Sequence, residues 1–186
     1  MALRAPAEIP GLILIEPKKF GDARGFFSET YSRARLVEMG FDKEFIQDNH
    51  ALSVEAGVLR GIHFQSPPFA QDKLVRVARG AILDVAVDIR RGSPTYGDHA
   101  AVELSAENWR QLLVPAGFGH GYVTLVPDTE VIYKVTAPYA PRNDHGFLWS
   151  DPDLGIDWPV TAETVILSDK DRALPRLAEL DDSFVF

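Results

Sequence analysis

Short runs rich in Val, Ile, Leu, Phe and Tyr recur along the chain, parted by glycines, prolines and polar residues. Nine read as strands: GLILIEP around Leu12, FIQDNHALSV from Phe45, GVLRGIHF from Gly57, KLVRVARG from Lys73, AILDVAVDI from Ala81, HAAVELS from His99, RQLLVPAG from Arg110, GYVTLV from Gly121 and TEVIYKVTAPY from Thr129. Several alternate with period two, which sends successive side chains to opposite faces of a strand. In AILDVAVDI, Ile82, Asp84, Ala86 and Asp88 share one face, and Leu83, Val85, Val87 and Ile89 the other. In TEVIYKV, Val131, Tyr133 and Val135 form the more apolar face, an interior one, opposite Ile132 and Lys134. Many short strands with turn residues between them predict a mainly β sandwich or barrel.

Helical signals are few. Ser32–Gly40 has a serine placed to cap and a glycine placed to stop. Ser168-Asp169-Lys170-Asp171 fits a serine followed three residues on by an acid, a pattern that caps a helix start. Ala106–Trp109 reads as a helical turn. The small helices thus lie near both ends of a β chain.

With 186 residues the chain reads as one domain, 1–186, long enough to bury a core without staples. No cysteine is present, which excludes disulfides, thiolate metal sites and a cysteine nucleophile. The net charge of −8 argues against nucleic acid or an anionic membrane as a partner. An anionic ligand would need a local basic cluster. The opening MALRAPAEIPGLILIEP is too short in its apolar run for a leader or a membrane span, so the expected location is the cytoplasm.

Five histidines are candidates for chemistry. His50 and His99 read as surface residues. His63 stands at the end of a strand in GVLRGIHFQ and His120 at the start of one in PAGFGHGY. Gly57-x5-His63, with Pro115-x-Gly117-x2-His120 much later, resembles the skeleton of the cupin double motif and implies a jelly-roll β-barrel. Metal-binding cupins carry a second histidine where this chain has Gln65, and no glutamate falls between Glu55 and Glu103. An amide is a poor transition-metal ligand, so no metal is expected. Arg60 and His63 would face opposite sides of a regular strand, unless a bulge or turn at Gly61 brings them together. Taken singly, Tyr133 reads as a core tyrosine, Asp171 as a helix cap, and Asp22-x-Arg24-Gly25 as a turn. Gln47-Asp48-Asn49 is polar for a strand and fits either an exposed edge or a binding function.

Seven segments then occur in order: FGDARGFFSETY, FIQDNHALSVEAGVLRGIHFQ, PFAQDKLVRVARGAILDVAVDIRRGSPTYG, PAGFGHGY, YKVTAPYAP, WSDPDLGIDWP and LSDKD. Together they resemble the dTDP-4-dehydrorhamnose 3,5-epimerase family, from about Ile9 to about Leu180. The resemblance implies a jelly-roll homodimer, without metal or organic cofactor, that epimerises C3 and C5 of dTDP-4-dehydro-6-deoxyglucose. It makes His63 the base, Asp171 its partner, Tyr133 the acid on the opposite face and Lys73 the cation at the C4 oxygen. Arg24, Glu29, Gln47, Asp48, Asn49, Arg60, His120, Asp144 and Lys170 match substrate-binding positions. Gly119 replaces a usual alanine, Tyr122 a usual phenylalanine and Asp144 a usual glutamate. Rival readings are an epimerase acting at C3 or C5 alone, a sugar-binding cupin without turnover and, weakest, a metal cupin.

Overall fold

The computed structural model describes residues 8–180, so the first seven residues of the stretch weighed as a leader lie outside it. Twelve strands run in chain order: β1 (Ile13–Ile15), β2 (Phe20–Asp22), β3 (Gly25–Phe27), β4 (Gln47–Ser53), β5 (Leu59–Gln65), β6 (Lys73–Arg79), β7 (Ala81–Asp88), β8 (His99–Ser105), β9 (Gln111–Val114), β10 (Phe118–Thr124), β11 (Thr129–Val135) and β12 (Asp144–Gly146). Two short α-helices, α1 (Arg33–Glu38) and α2 (Asp169–Arg172), and a 3₁₀ turn at Leu177–Glu179 complete the frame. The strands form two antiparallel five-stranded sheets, β1-β9-β6-β11-β4 and β12-β5-β10-β7-β8, while β2 and β3 pair as a separate hairpin. The pattern predicts a β sandwich or barrel, and this is the cupin-type jelly roll that the resemblance implies. Among the described residues no helix is long and apolar enough to cross a membrane.

The period-two faces fall where alternation puts them. Ile82 and Ala86 of β7 meet Val75, Leu112 and Val131 of the other sheet in a core between the two sheets. Val85 and Val87, on the opposite face of β7, are also fully buried, but against Phe147, Trp149 and Trp158 of the C-terminal segment. The segment from Phe147 to Leu177 therefore covers the outer face of one sheet, which explains why its strands are apolar on both faces. It also brings α2 back over β5.

Register supplies the decisive local feature. His120 stands opposite His63, and Tyr122 opposite Arg60, so β5 spends three steps where β10 spends two. That extra residue is a β-bulge, and it turns Arg60 and His63 to the same side. Gly61 makes it sterically feasible: it has φ +132°, and a Cβ there would lie 2.5 Å from Gly121 Cα and 2.9 Å from the His120 carbonyl oxygen.

Several expectations need correction. His99 is 2% exposed, not a surface residue, because β8 is covered by the C-terminal segment; His50 is exposed. β10 starts at Phe118, so His120 lies inside a strand rather than at its start. Ala106–Asn108 form a turn rather than a helical one, and Trp109 follows with φ +60°. Asp22–Gly25 is a turn as read, but it closes the hairpin β2–β3. β12 had no hydrophobic signal because its pairing with β5 needs only backbone groups.

Candidate active site

A cavity of about 490 Å³ opens between the two sheets. β5 contributes Arg60 and His63, β10 contributes His120 and Tyr122, and the opposing sheet contributes Lys73 and Tyr133. Lys170 and Asp171 of α2 close one side. Residues 108 positions apart thus meet, since His63 Nε2 lies 2.6 Å from Asp171 Oδ1. The carboxylate occupies Nε2 and leaves Nδ1 to the cavity.

The two readings of Asp171 prove to use different atoms. Its backbone N–H donates to Ser168 Oγ and caps α2, while its side chain turns to His63. Burial pushes the Asp171 carboxyl up; the hydrogen bond and charge of His63, with Ser168 and the Gly61 N–H, outweigh it and hold the group below its ordinary value. Ser32 occupies the capping position of α1 without making a side-chain cap.

Tyr133 faces His63 from the other sheet. Burial raises its pKa, opposed by the nearby Arg60 guanidinium, so the phenol stays protonated at neutral pH. Lys73 is pushed down to about 8 by burial, with Asp84 and Asp144 pulling the other way. No side-chain hydrogen bond joins it to another described residue, which leaves the ammonium available to a ligand oxygen. Arg60, Lys73 and Lys170 make the local basic cluster that an anionic ligand requires in an acidic chain.

The remaining expected residues divide. Gln47 Nε2 donates to Asn49 Oδ1 at 2.8 Å, and both share the β4 face of Ala51, which lines the cavity. Asp48 points to the other face and pairs with Lys134 at 3.0 Å. Asp144 Oδ2 accepts from Lys170 and from the Tyr139 hydroxyl at the cavity edge. Arg24 sits at the tip of the hairpin β2–β3, 89% exposed, bonded to Asp22. Glu29 pairs with Arg35 at 2.9 Å in a separate groove with Tyr31 and Gln111. Neither Arg24 nor Glu29 reaches the cavity of its own chain.

Gln65, in the position of a cupin metal ligand, is committed elsewhere. Its Nε2 donates to the carbonyls of Phe69 and Pro138, and its Oε1 accepts from the Ala140 N–H. Two residues beside the cavity were not foreseen. Asp84 is fully buried with Oδ1 2.6 Å from His120 Nε2. The signal for it was an acid on the same face as Ile82 and Ala86. Tyr122, first noted only as a departure from the family, lines the cavity with its phenol pushed up to about 12 by burial.

A cavity with a histidine of one sheet paired to a carboxylate, and a protonated phenol and an ammonium on the other sheet, can move protons on and off carbon beside a carbonyl. Comparison with known proteins agrees. The family described as dTDP-4-dehydrorhamnose 3,5-epimerase matches residues 6–179. A protein of that name from Sinorhizobium fredii is 53% identical over 173 residues, covering 93% of this chain and 88% of that protein. The Bacillus anthracis dTDP-4-dehydrorhamnose 3,5-epimerase with TDP and pyrophosphate bound is 53% identical with a TM-score of 0.87, covering 89% of this chain and 94% of that one. The Legionella pneumophila dTDP-6-deoxy-D-glucose-3,5-epimerase in complex with dTDP-4-keto-L-rhamnose is 45% identical with a TM-score of 0.91, over 96% and 94%.

Proposed function

Because the chain belongs to the dTDP-4-dehydrorhamnose 3,5-epimerase family, we propose that its cavity converts dTDP-4-dehydro-6-deoxy-D-glucose to dTDP-4-dehydro-L-rhamnose by inverting C3 and C5. The observation that carries the reading is the placement of His63 and Tyr133 on opposing sheets across one cavity. A sugar ring lying between them meets a base on one face and an acid on the other. Inversion at carbon needs that arrangement.

His63 Nδ1 removes the proton on the carbon next to the ketone, and Asp171 stabilises the imidazolium formed. The electron pair moves into an enolate whose negative charge sits on the C4 oxygen. Lys73 stabilises that oxygen. Tyr133 then delivers its proton to the opposite face of the same carbon, and Arg60 favours the phenolate left behind. Water restores the phenol and takes the proton from His63, so each inversion exchanges one carbon-bound hydrogen with solvent. His120 and Asn49 bind the sugar; Arg60 and Lys170 bind the diphosphate.

Arg24 and Glu29 belong to this proposal through a second copy of the chain. The hairpin that carries Arg24 exposes Phe20, Phe26 and Phe27, and β4, beside the cavity, is an unpaired sheet edge flanked by exposed Ile46, Leu52 and Val54. A homodimer that buries these surfaces can deliver the hairpin of one copy to the nucleotide end of the cavity of the other. The unit acts as a single catalytic domain in the cytoplasm.

The test is turnover in D₂O with a reductase added to trap product, reading deuterium at C3 and C5. Label at both carbons is expected from the native chain, and none from His63→Asn. Label at one carbon would assign a single-site epimerase, and no label from folded protein would overturn the reading.

A further inference from the structure

The mechanism leaves Asp84 without a task. It stands in the middle of β7, between Tyr122 of β10 and Val102 of β8, on the face that looks into the space between the sheets. Its side chain is wholly buried. Oδ1 lies 2.6 Å from His120 Nε2, and Oδ2 has no hydrogen-bond partner among the described residues. A carboxylate taken out of water is costly unless donors or a cation answer each oxygen. The cation is Lys73, on the opposing sheet, whose ammonium is attracted by Asp84 yet makes no hydrogen bond with it.

We propose that Asp84 is a positioning residue for the epimerisation, fixing the ring of His120 through Oδ1 and keeping the Lys73 ammonium charged, but unoccupied, through the negative charge left on Oδ2. It rests on the reaction assigned above. With Nε2–H donated to Asp84, His120 presents the lone pair of Nδ1 to the cavity and accepts from a sugar hydroxyl beside the ketone. A direct ion pair would have tied up the ammonium that must meet the C4 oxygen. A buried carboxylate that attracts the ammonium without a hydrogen bond to it supplies the charge and leaves the donors free.

Other groups share the cavity with Lys73. The cations Arg60 of β5 and Lys170 of α2 and the acid Asp171 of α2 line it too, and Asp144 of β12, bonded to Lys170, attracts the Lys73 charge as Asp84 does. Asp171 is committed to His63, and Asp144 to Lys170 and Tyr139. The rings of His63, His120, Tyr122 and Tyr133 complete the surroundings. Of these acids, Asp84 is the one with a fully buried oxygen that has no hydrogen-bond partner among the described residues.

The test is the pH dependence of turnover in Asp84→Asn, between about pH 6 and pH 9.5. Near pH 8, kcat should fall about tenfold with KM within about threefold, and the alkaline limb should move down by about one pH unit, as loss of an opposite charge requires. A purely structural role would lower the unfolding temperature and leave the limb in place; that result overturns the proposal. Imidazole ¹⁵N spectra of the native chain give a second measurement that needs no variant. They should show His120 protonated at Nε2 at neutral pH, and a proton on Nδ1 instead would also overturn it. If the native chain itself fails to epimerise, the assigned reaction is wrong; if it turns over and Asp84→Asn keeps its limb, the role of Asp84 alone is wrong.

Discussion

Replacing Asp171 by Asn separates orientation from charge at the proposed base. The cap of α2 survives, because Ser168 Oγ takes the backbone N–H of residue 171 rather than its side chain. The loss falls on the 2.6 Å contact with His63 Nε2. With charge centres ~4 Å apart and an effective dielectric of ~20, imidazolium and carboxylate attract by about 4 kcal/mol. Roughly half of that is realised while the proton is in flight, so charge contributes about 2 kcal/mol. Replacing a charge-assisted hydrogen bond by a neutral one adds about 1 kcal/mol. Together they predict a loss of turnover on the order of a hundredfold. Should the amide present its NH₂ to the ring, Nε2 becomes the acceptor, the proton moves to Nδ1, and the loss approaches roughly ten-thousandfold. The assay is the initial rate coupled to a reductase, alongside deuterium wash-in and thermal unfolding. A folded Asp171→Asn protein working within about threefold of the native rate would refute the dyad.

Three further outcomes follow from the geometry. Gly61→Ala should cost more than about 2 kcal/mol in denaturant unfolding, because its Cβ would meet the backbone of Gly121 and His120 and the bulge would have to open. Asp88 is wholly buried, and burial alone would raise its carboxyl, but Arg90, Ser93 and Thr95 hold it down to about 2 against an ordinary 3.8. A carboxyl with a depressed folded pKa stabilises fully above its unfolded value, so about 2 kcal/mol should be lost as pH falls from about 4 to about 2; an acid titration of stability should lack this step in Asp88→Asn. Tyr122→Phe removes a phenol with no hydrogen-bond partner among the described residues and should leave turnover within about threefold, whereas Tyr133→Phe should lose at least about a hundredfold; equal losses would show that Tyr133 is not the acid.

Much of this protein was legible before its fold was known. Period-two alternation announced the strands and even the inward face of β11, because a half-buried strand must alternate. The reading of Gly61 is conditional, since Arg60 and His63 can share a side only through a bulge or turn there, and the register contains the bulge. His63, Tyr133, Lys73 and Asp171 could be named through resemblance, since their motifs are contiguous. Taken singly, Tyr133 and Asp171 looked like a packing residue and a cap, and Asp171 is in fact a cap by its backbone.

What the chain order could not carry was register between distant strands and the path of the C-terminal segment. Those put Asp84 behind His120, made the Gln47–Asn49 face of β4 rather than the Asp48 face border the cavity, and left Arg24 and Glu29 outside it. They also buried His99, which reads in the sequence as a surface residue. Alternation tells which face of its own strand a residue takes. Which face becomes the cavity, and which residue lies across it, depends on two sheets closing over one core and on a segment 108 residues downstream returning to complete the base.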